Sequence, residues 1–274
     1  DRDREIAQHY AHGTLEAAIL GALAASGEDP DKLTVADLAP VDEFHIGGRQ
    51  ATMDLAAQLD LPRGARVLDV GCGLGGPSRY FAQDRGWRVD GIDLTPEYVE
   101  VAERLSRRVG LGEAVSYRQA SALALPFANR TFDGAYMLHV GMNIADKKTA
   151  FAEVHRVLKP GGTFAIYDVM RESDGAFAYP VPWSSAPETN FIATAELYRQ
   201  ELRAAGFGIE KERSRRDFAL EFFTRMRQRM AASGPPALGL QIVMGATAPQ
   251  KVANMIGMLE RGLFAPTEII ARAM

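Results

Sequence analysis

Residues 67–77, which read Val-Leu-Asp-Val-Gly-Cys-Gly-Leu-Gly-Gly-Pro, decide the fold. A short apolar run is followed by three alternating glycines and then by a predicted helix start. These glycines are Gly71, Gly73 and Gly75. The next predicted strand includes residues 89–93, Val-Asp-Gly-Ile-Asp, and an acid, Asp93, closes it. This pattern is typical of a nucleoside-binding site at the carboxyl edge of a parallel sheet.

The composition of the 274 residues narrows the class of protein. Charged residues make up 24% and hydrophobic residues 47%, which are ordinary values for a soluble globular protein. The net charge of −4 and the lack of a basic run disfavour a nucleic-acid partner. Cys72 is the single cysteine, so we expect no internal disulfide and no multi-cysteine metal site. No apolar run is long enough to cross a bilayer, and we expect a cytoplasmic location and a small-molecule substrate. The oligomeric state is not readable from the sequence.

Strand and helix patterns alternate along most of the chain. The apolar runs that predict strands lie at 66–70, 88–92, 115–119, 132–138, 163–169, 207–213 and 267–273. Helical patterns separate them, among them those at 97–109, 147–158 and 195–205. Residues 159–162, Lys-Pro-Gly-Gly, are predicted to end the second of these helices. We therefore predict an α/β fold: a doubly wound, mainly parallel seven-stranded sheet whose last strand is antiparallel.

The remaining segments predict helical additions to this sheet. Residues 2–24 have helical spacing, and a polar stretch with Pro30 and Pro40 follows. Residues 217–262 read as two helical pieces broken by Gly234-Pro235-Pro236. We predict an N-terminal helical cap, an α/β core, a helical insertion that caps the core, and the last strand of the core, at residues 1–60, 61–216, 217–262 and 263–274 respectively.

Two cofactors fit the glycine turn. Gly71, Gly73 and Gly76 satisfy the dinucleotide pattern G-x-G-x-x-G, with Asp93 at a suitable distance for the ribose. With Asp69, the same segment also satisfies D-x-G-x-G-x-G. A carboxylate at the tip of the strand suits the ammonium group of a methionine moiety and would repel a pyrophosphate. This second interpretation favours S-adenosylmethionine (SAM) over a nicotinamide dinucleotide.

Motifs downstream strengthen the second interpretation. Ala-Leu-Ala-Leu-Pro-Phe at 122–127, Phe-Asp-Gly-Ala-Tyr at 132–136 and Leu-Lys-Pro-Gly-Gly at 158–162 follow in order. From about residue 42 to residue 170 the chain resembles the class I SAM-dependent methyltransferases. Residues 44–48 and 138–144 resemble bacterial small-molecule methyltransferases of the ubiquinone/menaquinone-biosynthesis and sarcosine/dimethylglycine groups. The segment 252–262 loosely resembles the C-terminal cap of the latter group.

The resemblance implies a set of cofactor-binding residues. Asp69 would meet the methionine part, Asp93 the ribose hydroxyls and Ser121 the adenine, at a position where many relatives carry an acid. Tyr10 would lie on an N-terminal helix over the cofactor, where its ring would attract the sulfonium. The full set is Tyr10, Asp69, Gly71, Gly73, Gly75, Asp93, Leu94, Ser121, Ala122, Leu123 and His139.

Candidate catalytic and substrate-binding residues follow the strands that end at the same edge. His139, just past the fourth predicted strand, and Asp168, on the fifth, are the candidate proton acceptors. The candidate substrate contacts are His45, Met142, Asn143, Tyr179 and Trp183. For most of these residues packing alone is an equally good interpretation. We expect no metal ion.

We therefore predict a SAM-dependent methyltransferase that acts on a small molecule by in-line displacement. The first expectation for the acceptor is an amine or amino-acid nitrogen, because Asp168, Tyr179 and Trp183 would suit a cation. The alternative is O- or C-methylation of a quinone, phenol or other small metabolite. Alternatives of another class are a SAM-binding protein or repurposed enzyme without methyl transfer, and an NAD-binding oxidoreductase.

Overall fold

One seven-stranded sheet organises residues 14–274, which are the residues that the computed structural model describes. The strands are β1 (Arg66–Val70), β2 (Arg88–Asp93), β3 (Val115–Gln119), β4 (Phe132–Leu138), β5 (Leu158–Arg171), β6 (Phe207–Ser214) and β7 (Phe264–Ala273). Their order across the sheet is β3-β2-β1-β4-β5-β7-β6. Strand β7 runs antiparallel to both of its neighbours, and the other pairs are parallel. The prediction of a doubly wound, mainly parallel seven-stranded α/β fold is confirmed.

Ten α-helices accompany the sheet in the described part of the chain. They are α1 (Leu15–Ala25), α2 (Val35–Asp42), α3 (Gly48–Ala56), α4 (Gly76–Arg85), α5 (Pro96–Arg108), α6 (Lys147–Val157), α7 (Ala195–Ala204), α8 (Arg216–Ser233), α9 (Gln241–Met244) and α10 (Ala248–Glu260). No helix within residues 14–274 has the length and apolar character needed to cross a lipid bilayer.

Two apolar cores lie on opposite faces of the sheet because successive strand residues point to opposite faces. In β1, Leu68 and Val70 belong to one core, together with residues of α6 and α7. Val67 belongs to the other core, which α3, α4 and α5 cover. Helices on both faces leave the carboxyl ends of the parallel strands as the open edge for a ligand.

The segment around Pro40, which the sequence analysis interpreted as a polar stretch, forms helix α2 in the structure. Thr34 caps the helix: its side chain accepts a hydrogen bond from the Asp37 N–H, and the Asp37 carboxylate accepts one from the Thr34 N–H. This reciprocal capping box is a helix-start signal that the sequence contained. Leu38 and Val41 of α2 are buried in one cluster with residues of α1, so packing stabilises a helix that includes Pro40.

The start of β5 also differs from the prediction. Helix α6 ends at Val157, and β5 begins at Leu158, whereas the sequence predicted a strand from Thr163. Leu158 pairs with Phe132, and after an irregularity the pairing resumes between Gly134 and Thr163. The Lys-Pro-Gly-Gly segment is therefore a bulged entry to the strand.

Helices α8, α9 and α10 occupy the segment between β6 and β7. The sequence predicted two helical pieces here, and the structure has three. Gly234, with φ of 73°, ends α8 directly before the two prolines. Phe223 of α8 and Met258 of α10 share an apolar cluster with Trp183, which lies in the loop after β5. The division of the chain into domains at residues 60, 216 and 262 stays a prediction.

Candidate functional site

A cavity of about 1510 Å³ opens at the carboxyl ends of β1, β2 and β4. Its walls come from the loops that follow these strands, from the segment between α2 and α3, and from α8, α9 and α10. Ligand pockets typically have volumes of about 300–1,000 Å³. The cavity therefore has room for a nucleoside-sized ligand and a second small molecule.

The end of β1 brings Asp69, Gly71 and Gly73 to the cavity wall. The Asp69 side chain is buried, and its Oδ2 accepts hydrogen bonds from the hydroxyls of Ser78, at 2.6 Å, and Tyr136, at 2.9 Å. Burial raises the pKa of Asp69 to about 7, although both hydroxyl bonds act against this. The carboxylate is thus held rigidly, and a cation beside it would favour its charged form.

Glycine is required in this turn mainly by neighbouring protein groups. A Cβ on Gly71 would lie 2.4 Å from a methyl carbon of Val140, and one on Gly75 would lie 2.3 Å from the Tyr117 hydroxyl. Both glycines also have positive φ, of 78° and 79°. Gly75 caps α4 and does not line the cavity, so the structure does not bring it to the candidate cofactor position.

Asp93, at the end of β2, connects two loops of the cavity wall. Its Oδ2 accepts a hydrogen bond from the Gly73 N–H and its Oδ1 one from the Thr95 N–H, both at 2.9 Å. Burial raises the pKa of Asp93 despite these bonds. Each carboxylate oxygen has a further lone pair, so a vicinal diol is a suitable ligand for the pair of oxygens.

The other predicted cofactor residues of the described chain lie along the same wall. Leu94, Ser121, Ala122 and Leu123 all line the cavity. The Ser121 hydroxyl accepts a hydrogen bond from the Leu123 N–H at 3.3 Å, which fixes this loop locally. Tyr10 lies outside the described residues.

His139 follows β4 in a left-handed backbone conformation, with φ of 53°, which few residues other than glycine adopt. Its N–H donates to the Tyr167 carbonyl at 2.7 Å, which holds the residue in place. Its Nε2 is buried without a hydrogen-bond partner among residues 14–274. Burial lowers the pKa of His139 well below 6.5, so the imidazole is neutral near pH 7. His139 is therefore a half-buried residue on the cavity wall with a strained backbone and an Nε2 that has no partner among the described residues, and such a group is a candidate proton acceptor.

His45 lies close to His139, with 6.0 Å between the ring centroids. The His45 Nε2 is 3.0 Å from both the Gly48 carbonyl and the Thr52 hydroxyl, and 3.4 Å from the Glu43 carboxylate. Since Thr52 donates to Glu43 at 2.7 Å, these three groups present acceptors to Nε2. They favour the tautomer with the proton on Nε2. Burial lowers the pKa of His45 to about 4, so this ring is also neutral near pH 7.

A buried ion pair that the sequence analysis missed holds the segment before His45. The Arg79 guanidinium, on α4, donates to the Asp42 carboxylate at 2.6 Å, and neither side chain has any exposed surface. Arg79 also donates to the Leu74 carbonyl at 2.6 Å and the Ser106 hydroxyl at 3.0 Å. No spacing rule links residues 42 and 79, so only the fold reveals this pair.

The structure does not bring Asp168 and Tyr179 to the cavity. Asp168 is fully buried, and its carboxylate accepts hydrogen bonds from the Tyr198 hydroxyl, at 2.7 Å, and the Val169 N–H, at 2.9 Å. The Tyr179 hydroxyl accepts a bond from the Asn190 amide, and Tyr179 does not line the cavity either. These are corrections to the prediction of Asp168 as a catalytic residue and of Tyr179 as a substrate contact, because partners from later in the chain occupy these polar groups.

The half of the cavity away from the glycine turn is apolar. Trp183, Met142 and Asn143 line the cavity as predicted, and the Trp183 Nε1–H donates to the Asn190 side-chain oxygen at 2.9 Å. Apolar residues that the sequence did not single out form much of the remaining wall: Phe191, Phe222, Phe223, Met226, Met244, Val252, Met255 and Ile256. Within residues 14–274, no group of His, Cys, Asp and Glu side chains is arranged to hold a metal ion.

The chain is similar to known methyltransferases in both sequence and structure. Residues 68–166, from β1 to β5, match the family described as "Methyltransferase domain". The chain is 35% identical over 134 residues to methyltransferase GfsG of Streptomyces halstedii, a match that covers 49% of this chain and 48% of that protein. It is 33% identical over 191 residues to erythromycin 3''-O-methyltransferase of Saccharopolyspora erythraea, covering 64% and 62% respectively. The chain spans less than two thirds of the length of either relative.

A solved structure with the same architecture is that of a protein named for a different activity. It is the 4+2 cyclase SpnF, with a TM-score of 0.65 and 27% identity, and the likeness covers 82% of this chain and 80% of that chain. The similarity therefore extends beyond the matched family region.

Proposed function

We propose that this chain, whose residues 68–166 match the methyltransferase domain family, transfers a methyl group from SAM to an oxygen or carbon of a small, largely apolar acceptor. One observation carries the proposal: the glycine turn and Asp93 share a cavity with an apolar chamber, and His139 lies at that cavity's wall. The family assignment confirms the prediction of SAM over a nicotinamide dinucleotide as the cofactor.

The cofactor half of the cavity fits SAM. When bound, SAM supplies an electrophilic methyl group on a sulfonium whose thioether leaves readily. Asp69 places a carboxylate where it would pair with the ammonium group, and Asp93 offers two oxygens to the ribose hydroxyls. The loop 121–123 provides a hydroxyl and apolar contacts for the adenine. These residues bind and orient the cofactor and do not themselves react.

We expect SAM affinity to rise on the order of tenfold between about pH 5.5 and about pH 7. Burial raises the pKa of Asp69 to about 7 in the free protein, and only the deprotonated carboxylate pairs with an ammonium. Affinity is therefore lost as the pH falls through that pKa. Calorimetric titration across this range measures the slope. In Asp69→Asn the slope should flatten, and an unchanged slope there would assign it to another group, such as Asp93.

The acceptor half of the cavity is the apolar half away from the glycine turn. Its lining favours an acceptor with an oxygen or carbon nucleophile over the amine that was the first expectation. Of the three residues on which the amine depended, Asp168 and Tyr179 do not line the cavity, whereas Trp183 does. The carboxylates that do line it, apart from Asp69 and Asp93, are engaged within the protein: Asp42 with Arg79, Glu43 with Arg49, Asp146 with Thr149 and Glu260 with Arg227. A cationic amine thus finds mostly apolar surface on this side.

We propose His139 as the base that removes the acceptor's proton. A hydroxyl or carbon acid must lose a proton as it attacks, and a neutral imidazole accepts one. His139 has a buried, unpartnered Nε2, and its low pKa keeps the ring neutral. His45, beside it, completes the polar patch of an otherwise apolar chamber. Most of the acceleration would come from alignment of the acceptor, which supplies up to about 7–11 kcal/mol in well-oriented reactions.

A panel assay tests the proposed function. The protein is incubated with methyl-labelled SAM and apolar acceptors such as phenols, quinols, hydroxy fatty acids and long-chain amines, and products are identified by mass spectrometry. We expect label on oxygen or carbon. Transfer to amines alone would favour the earlier expectation.

Replacement of His139 by asparagine should lower turnover at least about 100-fold while SAM affinity stays within about threefold. Asparagine tolerates the left-handed backbone better than other residues, so folding is preserved. His155→Asn is the matched control, because His155 packs against Phe207 and does not line the cavity. Turnover of His139→Asn at the wild-type rate would remove its proposed role, and a parallel loss of SAM affinity would indicate packing instead.

A second candidate is a reaction without methyl transfer in the same chamber. The similarity to the cyclase SpnF supports it, since that protein is named for a different reaction on this architecture. The panel assay separates the two: substrate consumption with no labelled product, in the presence of bound SAM, would favour this candidate.

A further inference from the structure

The helical segment over the acceptor half of the cavity is basic. Residues 222–259 contain no Asp or Glu and four basic residues, Arg225, Arg227, Arg229 and Lys251. Three of the four line the cavity: Arg227, Arg229 and Lys251. The chain as a whole has a net charge of −4, so this cover differs in sign from the rest of the molecule.

Lys251, on α10, is the buried member of this set. Only 7% of its surface is exposed. Its ammonium group donates one hydrogen bond, to the Met244 carbonyl at 3.3 Å, and forms no ion pair with any carboxylate of residues 14–274. Arg227 differs, since it pairs with Glu260 at 3.0 Å. Within residues 14–274, two donor protons and the charge of the Lys251 ammonium group therefore have no counterpart.

The surroundings of Lys251 make this arrangement costly unless a ligand completes it. Met244, Val252, Met255 and Ile256, near it in sequence, line the same cavity with apolar side chains. An isolated ammonium in such a site is disfavoured relative to water, and burial lowers the pKa of Lys251 accordingly. An anion beside it would restore its charged state and use its free donors.

We propose that Lys251 binds an acidic group, such as a carboxylate or a phosphate, of an otherwise apolar acceptor molecule. This inference deepens the proposed function and rests on it, because it describes the molecule that occupies the chamber beside the cofactor. The apolar body would lie against the methionine and phenylalanine side chains, and flexible methionines accommodate bodies of varied shape. The acidic group would fix which atom of that body faces His139.

Binding of two fluorescent probes tests the inference without any methyl transfer. The probes 1-anilinonaphthalene-8-sulfonate and N-phenyl-1-naphthylamine have the same aromatic body and differ in the sulfonate. Titrations are done with wild type, Lys251→Met, Lys251→Arg and the control Lys148→Met, which removes an exposed lysine elsewhere, all with the SAM product S-adenosylhomocysteine present.

We expect Lys251→Met to weaken binding of the anionic probe about tenfold and of the neutral probe less than about twofold. Lys251→Arg should retain most of the anionic affinity, and Lys148→Met should match wild type. Retained binding of the neutral probe shows that the chamber of each variant is folded. Equal weakening of both probes, no weakening of the anionic one, or no binding of either probe to wild type would overturn the inference.

Competition identifies the acidic group. Dodecanoate, dodecyl phosphate and dodecanol are titrated against the bound anionic probe, and we expect one or both anions to displace it at concentrations at least about tenfold lower than the alcohol. Equal displacement by dodecanol would contradict the proposal. If the anions do not displace the probe but the panel assay gives labelled product, the Lys251 inference is wrong and the proposed methyl transfer stands. If the anions bind but no labelled product forms, the proposed methyl transfer is wrong and the Lys251 inference stands.

Discussion

Replacing Arg79 by methionine should lower the free energy of unfolding by about 3–5 kcal/mol. The change removes the partner of the fully buried Asp42 carboxylate and leaves the Leu74 carbonyl without its donor. Uncompensated buried charge is among the most destabilising results of a single substitution. Urea unfolding followed by circular dichroism measures the effect.

Two further variants make this test specific to the buried pair. Arg225→Met removes an exposed arginine that pairs with Glu221, and it should leave the unfolding midpoint nearly unchanged. The double variant Arg79→Met with Asp42→Leu should recover part of the loss, because a buried pair replaced by apolar groups is often nearly neutral. A double variant as unstable as the sum of its single changes would show that the pair has no coupling of its own.

The second large effect concerns the cofactor. Replacing Asp93 by alanine should weaken binding of SAM, or of S-adenosylhomocysteine, about 100-fold in calorimetric titration. The substitution removes two charge-assisted bonds to the ribose, each of which contributes about 1.5–3 kcal/mol. It also frees the N–H groups of Gly73 and Thr95, so the two loops lose their common anchor.

Asp90 offers a matched control on the same strand. It lies on β2 but bonds to Arg66 and Ser116, away from the cavity. Asp90→Ala should change cofactor affinity less than about twofold. If Asp93→Ala bound the cofactor as tightly as Asp90→Ala does, the placement of the ribose at Asp93 would be wrong.

The parts of the fold that follow local rules were predictable. The bounds of β1, β3 and β4 match those predicted from the sequence. Strands β1 and β4 are buried, and a buried parallel strand needs a largely apolar segment, whereas β3 lies at the edge of the sheet and has exposed polar residues. Helix α2 was missed although Thr34 and Asp37 form a capping box, because Pro40 was interpreted as part of a polar stretch. The tertiary contacts of α2 with α1 stabilise that helix against its proline.

The residues of the candidate site that lie at strand ends were also predictable from the sequence. Asp69, Asp93 and His139 lie at strand ends, and the rule that ligands bind at the carboxyl edge of a parallel sheet placed them. The same rule predicted that Asp168 lies at the ligand edge, but its carboxylate does not line the cavity. The hydroxyl of Tyr198, 30 residues later in the chain, donates a hydrogen bond to it instead. Lys251 and Arg79 were not singled out, since neither a lone lysine nor a lone arginine gives a sequence signal for what surrounds it.

The pairing of β6 with β7 has a consequence for how this architecture diversifies. Ser214 pairs with Thr267 and Phe207 with Ala273, so the two strands that bracket α8, α9 and α10 are joined to each other along their length. The intervening helices begin and end at nearly the same point of the sheet. Evolution can lengthen, shorten or replace this module without shifting the register of any strand. Changes in the part of the cavity wall that α8, α9 and α10 form thus need not disturb the strands that carry the nucleoside end.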